Sequence, residues 1–139
     1  MRFKGNAIRS VAVVSCALGL VIGAQGSASA AVETIRVYSG NGDLFGHGQW
    51  NDDPTGSVPG DSIRACDSRS DGLFIEVGLD TDQDGFADDR KATTRGLTAG
   101  SCSPWKSGDL KEGETYTIWV WVMSSDGSNH GARRYDAHT

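Results

Sequence analysis

The sequence predicts an all-β fold, an antiparallel two-sheet sandwich, and three observations carry that expectation. Apolar residues recur with a period of two, the signature of half-buried strands. Turn-forming runs of Gly, Asn, Asp and Pro separate these stretches at short intervals, and no convincing amphipathic helix interrupts them. Seven short strands in about 100 residues, joined by glycine-rich turns, fit two packed sheets. A small β-barrel is the alternative. The chain lacks the Cys, Trp, Cys spacing of an antibody domain, so Ig-like describes the architecture only.

The fold is expected to occupy residues 31–139 as a single β domain, because residues 1–30 have the organisation of a signal peptide. Arg2, Lys4 and Arg9 form a charged start, 11–24 an apolar run, and Ala28-Ser29-Ala30 a small-residue cleavage signal. Cys16, in the lipobox-like Val13-Val14-Ser15-Cys16, lies inside the apolar run and not after it, which disfavours lipidation. No later stretch approaches the ~18 apolar residues of a membrane span. The expectation is a secreted protein without membrane insertion, acting as a monomer.

Within 31–139, Ile35 and Val37 alternate with Arg36 and Tyr38 in a first strand that ends at Gly40-Asn41-Gly42-Asp43. A weaker strand covers 45–50, and a third, 62–67, carries Cys66 after a polar loop. The clearest alternation is at 73–79, with Leu73, Ile75, Val77 and Leu79 on one face, and 90–95 should return antiparallel to it. Residues 96–113 read as a loop. In 115–123, Tyr116, Ile118, Val120 and Val122 share one face while Trp119, Trp121 and Met123 occupy the other, which predicts a central strand covered twice. Asp126-Gly127-Ser128-Asn129 is a turn before a closing strand at 132–136.

Roughly 110 residues without the leader bury about two thirds of their unfolded surface, enough for one core. The whole chain carries a net charge of −5, and loss of Arg2, Lys4 and Arg9 with the leader makes the remainder more acidic still. That disfavours nucleic acid and anionic membranes as partners, since both require a basic surface. In an oxidising compartment Cys66 and Cys102 should be bonded to each other, adding ~4 kcal/mol on the chain-entropy model. Two cysteines so far apart lack the paired spacing of a zinc site.

One stretch commits to definite chemistry. Asp80-Thr81-Asp82-Gln83-Asp84-Gly85-Phe86-Ala87-Asp88-Asp89 sets carboxylates at alternate positions before a glycine that can turn sharply, and hard oxygen ligands are what Ca²⁺ requires. The candidate ligands are Asp80, Asp82, Asp84 and Asp88 through side chains and Phe86 through its carbonyl, with Asp89 in reserve. Lys91 stands where an EF-hand has its bidentate Glu, and the flanks read as strands, so an EF-hand does not fit. Over these ten residues the chain resembles the thrombospondin type 3 repeat and the D-x-D-x-D-G loops of secreted bacterial proteins. That resemblance implies a structural calcium ion. The alternative is a solvated acidic turn, although so many carboxylates in one tight turn repel each other without a cation.

At 60–67, 92–96, 102–105 and 112–118 the chain resembles small secreted actinobacterial proteins, most without an assigned function. The resemblance implies a one-domain extracellular protein with one disulfide and carries over no catalytic residue. His47, His130 and His138 are the only histidines, and no nucleophile motif accompanies them, so the chain is not expected to be an enzyme, a small hydrolase being the less favoured alternative. His47 reads as a strand-edge residue, and the other two as exposed, His130 in a turn and His138 beside the C-terminus. The expected role is binding to an extracellular protein or glycan. A carbohydrate-binding module would present Trp105, Trp119 or Trp121 as platforms, and Trp50 is a further candidate; a protease inhibitor would use the loop at 96–111. Trp119 and Trp121 are expected to be buried or shielded, with negative screens against insoluble polysaccharides.

Overall fold

The computed structural model describes residues 31–139; the expected signal peptide, its cleavage signal and Cys16 lie outside the described residues. Seven strands follow one another: β1 Glu33–Tyr38, β2 Leu44–Asn51, β3 Ser62–Asp67, β4 Phe74–Asp80, β5 Arg90–Thr93, β6 Thr115–Met123 and β7 Asn129–His138. They form two antiparallel sheets, β1-β2-β3 and β5-β4-β6-β7. The two sheets do not close into a barrel, so the sandwich holds and the barrel alternative falls.

Aliphatic cross-strand pairs on the inner face build the core. Ile75 lies opposite Val122, Val77 opposite Val120 and Leu79 opposite Ile118, all essentially without exposure. The three-stranded sheet answers with Ile35, Val37, Trp50, Ile63 and Ala65. Gly48, on its central strand, sets how closely the sheets approach. A Cβ there would stand 2.5 Å from Val120 Cγ2 and 3.0 Å from Val77 Cγ2.

The long stretch between β5 and β6 is not a free loop throughout. Its 101–106 portion runs along the edge of β3: Asp67 N–H donates to the Ser101 carbonyl (3.0 Å), Ser103 N–H to that of Ala65 (2.7 Å), and Lys106 N–H to that of Ile63 (2.8 Å). The expected Cys66–Cys102 disulfide ties it there. An edge that would otherwise expose unpaired backbone groups is thereby covered.

The tryptophans of β6 depart from expectation. Tyr116, Ile118, Val120 and Val122 are buried, but Thr117, Trp119, Trp121 and Met123 are only half-buried on the outer face of the four-stranded sheet. Among the described residues no second sheet covers that face. The pattern of β6 showed which residues share a side, and burial of large aromatics against their own sheet and one loop looks the same in sequence as burial under a layer.

Candidate functional site

Asp80 ends β4 on the outer face, opposite Thr117, and is 4% exposed. The chain then turns through Gln83 (φ 60°) and Gly85 (φ 96°), both in the left-handed region, the second of which Gly adopts at no steric cost. The loop amides aim at its own carboxylates. Gly85 N–H donates to Asp80 Oδ2 (3.0 Å), Asp84 N–H to Asp82 Oδ1 (3.2 Å), and Phe86 N–H to Asp84 Oδ1 (2.8 Å). Thr81 and Asp82 N–H both donate to Asp89 Oδ2, at 2.7 and 3.3 Å. Gln83 Nε2 reaches the Thr115 carbonyl (2.8 Å) and ties the loop to β6.

This wrapping brings carboxylate oxygens of Asp80, Asp82 and Asp89 within 4.8 Å of one another. Asp84 and Asp88 are exposed and lie outside that group, so of the expected side-chain ligands two stand in it and the reserve residue is the third. Lys91, at the twelfth position, is not directed to the group and instead pairs with Glu76 Oε1 at 3.6 Å. The electrostatics are strained at one point. The amide of Asp84 favours ionised Asp82, but desolvation and the charges of Asp84, Asp89 and Asp80 outweigh it and raise its pKa. Asp89 is held below the ordinary value by the Thr81 and Asp82 donors, with Arg90 adding to them. Asp80 Oδ1 is buried with no hydrogen-bond partner among the described residues.

Beside this loop lies an aromatic cleft. Trp119 and Trp121 are parallel to within 5°, with ring centroids 6.2 Å apart. Together with Phe86, Asp88 and Lys91 they line a depression of about 420 Å³. Phe86 is 68% exposed. Trp105 belongs elsewhere, its ring stacked under the Arg64 guanidinium at 4.5 Å, and Trp50 is a core residue.

The histidines do not assemble a centre. His47 sits on β2, the middle strand of its sheet, so the strand-edge reading is corrected; burial, then Arg36 and Arg64, lower its pKa. Its neighbours Cys66 and Cys102 are bonded to each other, which removes their sulfurs as ligands. His130 and His138 are exposed, the former at the start of β7 and not in the turn.

No protein-family model matches the sequence, and no curated protein matches it. A solved structure described as an endonuclease/exonuclease/phosphatase from Beutenbergia cavernae DSM 12333 is similar in fold, with a TM-score of 0.55 and 21% identity. The likeness covers 77% of this chain and 27% of that one, so the chain spans about a quarter of the length of that protein.

Proposed function

We propose that the chain is a secreted, non-enzymatic β-sandwich module that binds an extracellular partner, and that its β4–β5 loop holds a structural Ca²⁺. Asp80, Asp82 and Asp89 are the ligand core, with Asp84, Asp88 and the Phe86 carbonyl the other oxygens of the loop. The observation that carries the calcium reading is the buried, unpartnered Oδ1 of Asp80 next to two further carboxylates. A buried polar atom without a partner costs about 1–3 kcal/mol, more when charged, and a hard cation supplies the missing partner while cancelling the repulsion. The fold likeness carries no activity to this chain, because at 21% identity it bears on architecture alone.

Without a twelfth-position Glu, affinity belongs at roughly 10⁻⁴ to 10⁻³ M, the range of extracellular modules. At 100 times Kd such an ion stabilises the fold by about 2.7 kcal/mol, and at ten times by about 1.4 kcal/mol. The melting temperature should therefore rise in millimolar Ca²⁺ and fall in chelator. Asp82→Ala should abolish the response, and Asp53→Ala, outside the loop, should leave it. Asp80→Asn should melt at or above wild type in chelator, since it relieves repulsion, but below wild type in calcium. A melting curve indifferent to both calcium and chelator, with no heat of binding, would reduce the loop to an acidic turn.

A further inference from the structure

We infer that the cleft formed by Trp119, Trp121 and Phe86 is a binding site for a neutral saccharide, with the pyranose ring laid on the indoles and its hydroxyls met by Asp88 and Lys91. Four features of the outer sheet face lead there. A Cβ on Gly78 would come within 2.7 Å and 2.9 Å of Trp121 Cζ3 and Cη2, so the six-membered ring of Trp121 closes over the bare backbone of β4. Trp119 stands beside it with its ring parallel, the two stacked with centroids 6.2 Å apart. Phe86 is kept in water at the tip of an ordered loop although burial of such a ring would be favourable by about 1.5–3 kcal/mol. The depression these rings share, about 420 Å³, is of the size that takes a small ligand.

The chemistry of the rim selects the occupant. Asp88 and Lys91 border the rings, Lys91 shared with Glu76 opposite Trp121, so that carboxylate acceptors and an ammonium donor both stand at the rim. A sugar matches this division: its C–H face, slightly positive, suits the negative face of an indole, and its equatorial hydroxyls need donors and acceptors at the edge. Nucleic acid also stacks on aromatic rings, but its phosphates would have to approach Asp80, Asp82, Asp84 and Asp89 on a chain of net charge −5. A quaternary ammonium is best held by rings that converge around it, whereas these are parallel. A protein partner of ordinary size needs roughly 800 Å² per side with an apolar centre, more than two half-buried indoles and one phenyl ring present.

The test is depletion of the purified chain on amorphous cellulose, chitin, xylan, β-1,3-glucan and starch, followed by fluorescence titration with the soluble hexamer of whichever polymer retains it. Retention by at least one polymer is expected, with affinity falling about tenfold or more in Trp119→Ala and Trp121→Ala and remaining unchanged in Trp105→Ala. Should either β6 variant fail to fold, Phe86→Ala, at an exposed position, must still weaken retention. Absence of binding to all five polymers, equal binding by wild type and the Trp119→Ala/Trp121→Ala double variant, or preference for single-stranded DNA or choline would overturn the assignment. Runs in calcium and in chelator, with Asp82→Ala alongside, separate the two sites: the Asp82 variant reports on the ion and the Trp121 variant on the sugar, so either reading can fail alone.

Discussion

The two faces of the β4–β6 pair are built on the same backbone and come to opposite ends. Inward, Ile75, Val77 and Leu79 meet Val122, Val120 and Ile118, and every side chain is closed off by another. Outward, Glu76, Gly78 and Asp80 stand opposite Trp121, Trp119 and Thr117, leaving a carboxylate oxygen without a partner and two indoles half in water. A packed interior at native density is complete with the atoms of the chain alone. The outer face is only partly covered by its loop, and what remains open, a carboxylate oxygen and flat rings, is what the two proposed sites rest on.

The comparison can be tested first where the largest effect is expected. Ile118→Ala should cost about 2–5 kcal/mol in urea unfolding while leaving the proposed calcium-dependent rise in melting temperature intact. Loss of that calcium response in a still-folded Ile118→Ala protein would mean that the two faces are not independent.

A matched pair of glycines sharpens the contrast. At Gly48 a Cβ would strike Val120 in the core, and at Gly78 it would come within 2.1 Å of the Ala87 carbonyl and reach the Trp121 ring. Both Gly48→Ala and Gly78→Ala should destabilise by about 1–3 kcal/mol through overpacking. Only Gly78→Ala should also move tryptophan emission to longer wavelength, since it lifts Trp121 off the sheet; an identical spectrum for both variants would place Trp121 elsewhere.

Smaller effects belong to the other sheet. The Arg64 contact with Trp105 should contribute about 0.5–1 kcal/mol in a double-mutant cycle, without altering calcium or saccharide binding. His47 should leave a slight pH dependence. Its folded pKa is below the ordinary 6.5, so as the pH falls the unfolded chain binds this proton first. Stability should decline as the pH drops through about 6.5 and level off below the folded value, and His47→Gln should remove the slope. A slope of opposite sign, read in urea melts between pH 8 and pH 5, would show that the imidazolium is favoured in the fold.

What the sequence determined by itself were the properties that local pattern controls. The alternation in 73–79 and 115–123 set both central strands to within a residue or so, because period-two burial is a property of the strand alone. The two cysteines left no other pairing among residues 31–139. The density of carboxylates around Gly85 marked the loop. The tertiary structure decided which oxygens converge. Asp89, nine positions after Asp80, joins Asp80 and Asp82 because Thr81 and Asp82 amides bind its carboxylate, while Asp84 turns to the amide of Phe86. It also decided the fate of the tryptophans. Alternation tells which residues lie on the same side of a strand, but whether that side meets a sheet, a loop or water depends on where distant segments pack, and a β-strand carries no local record of its cover.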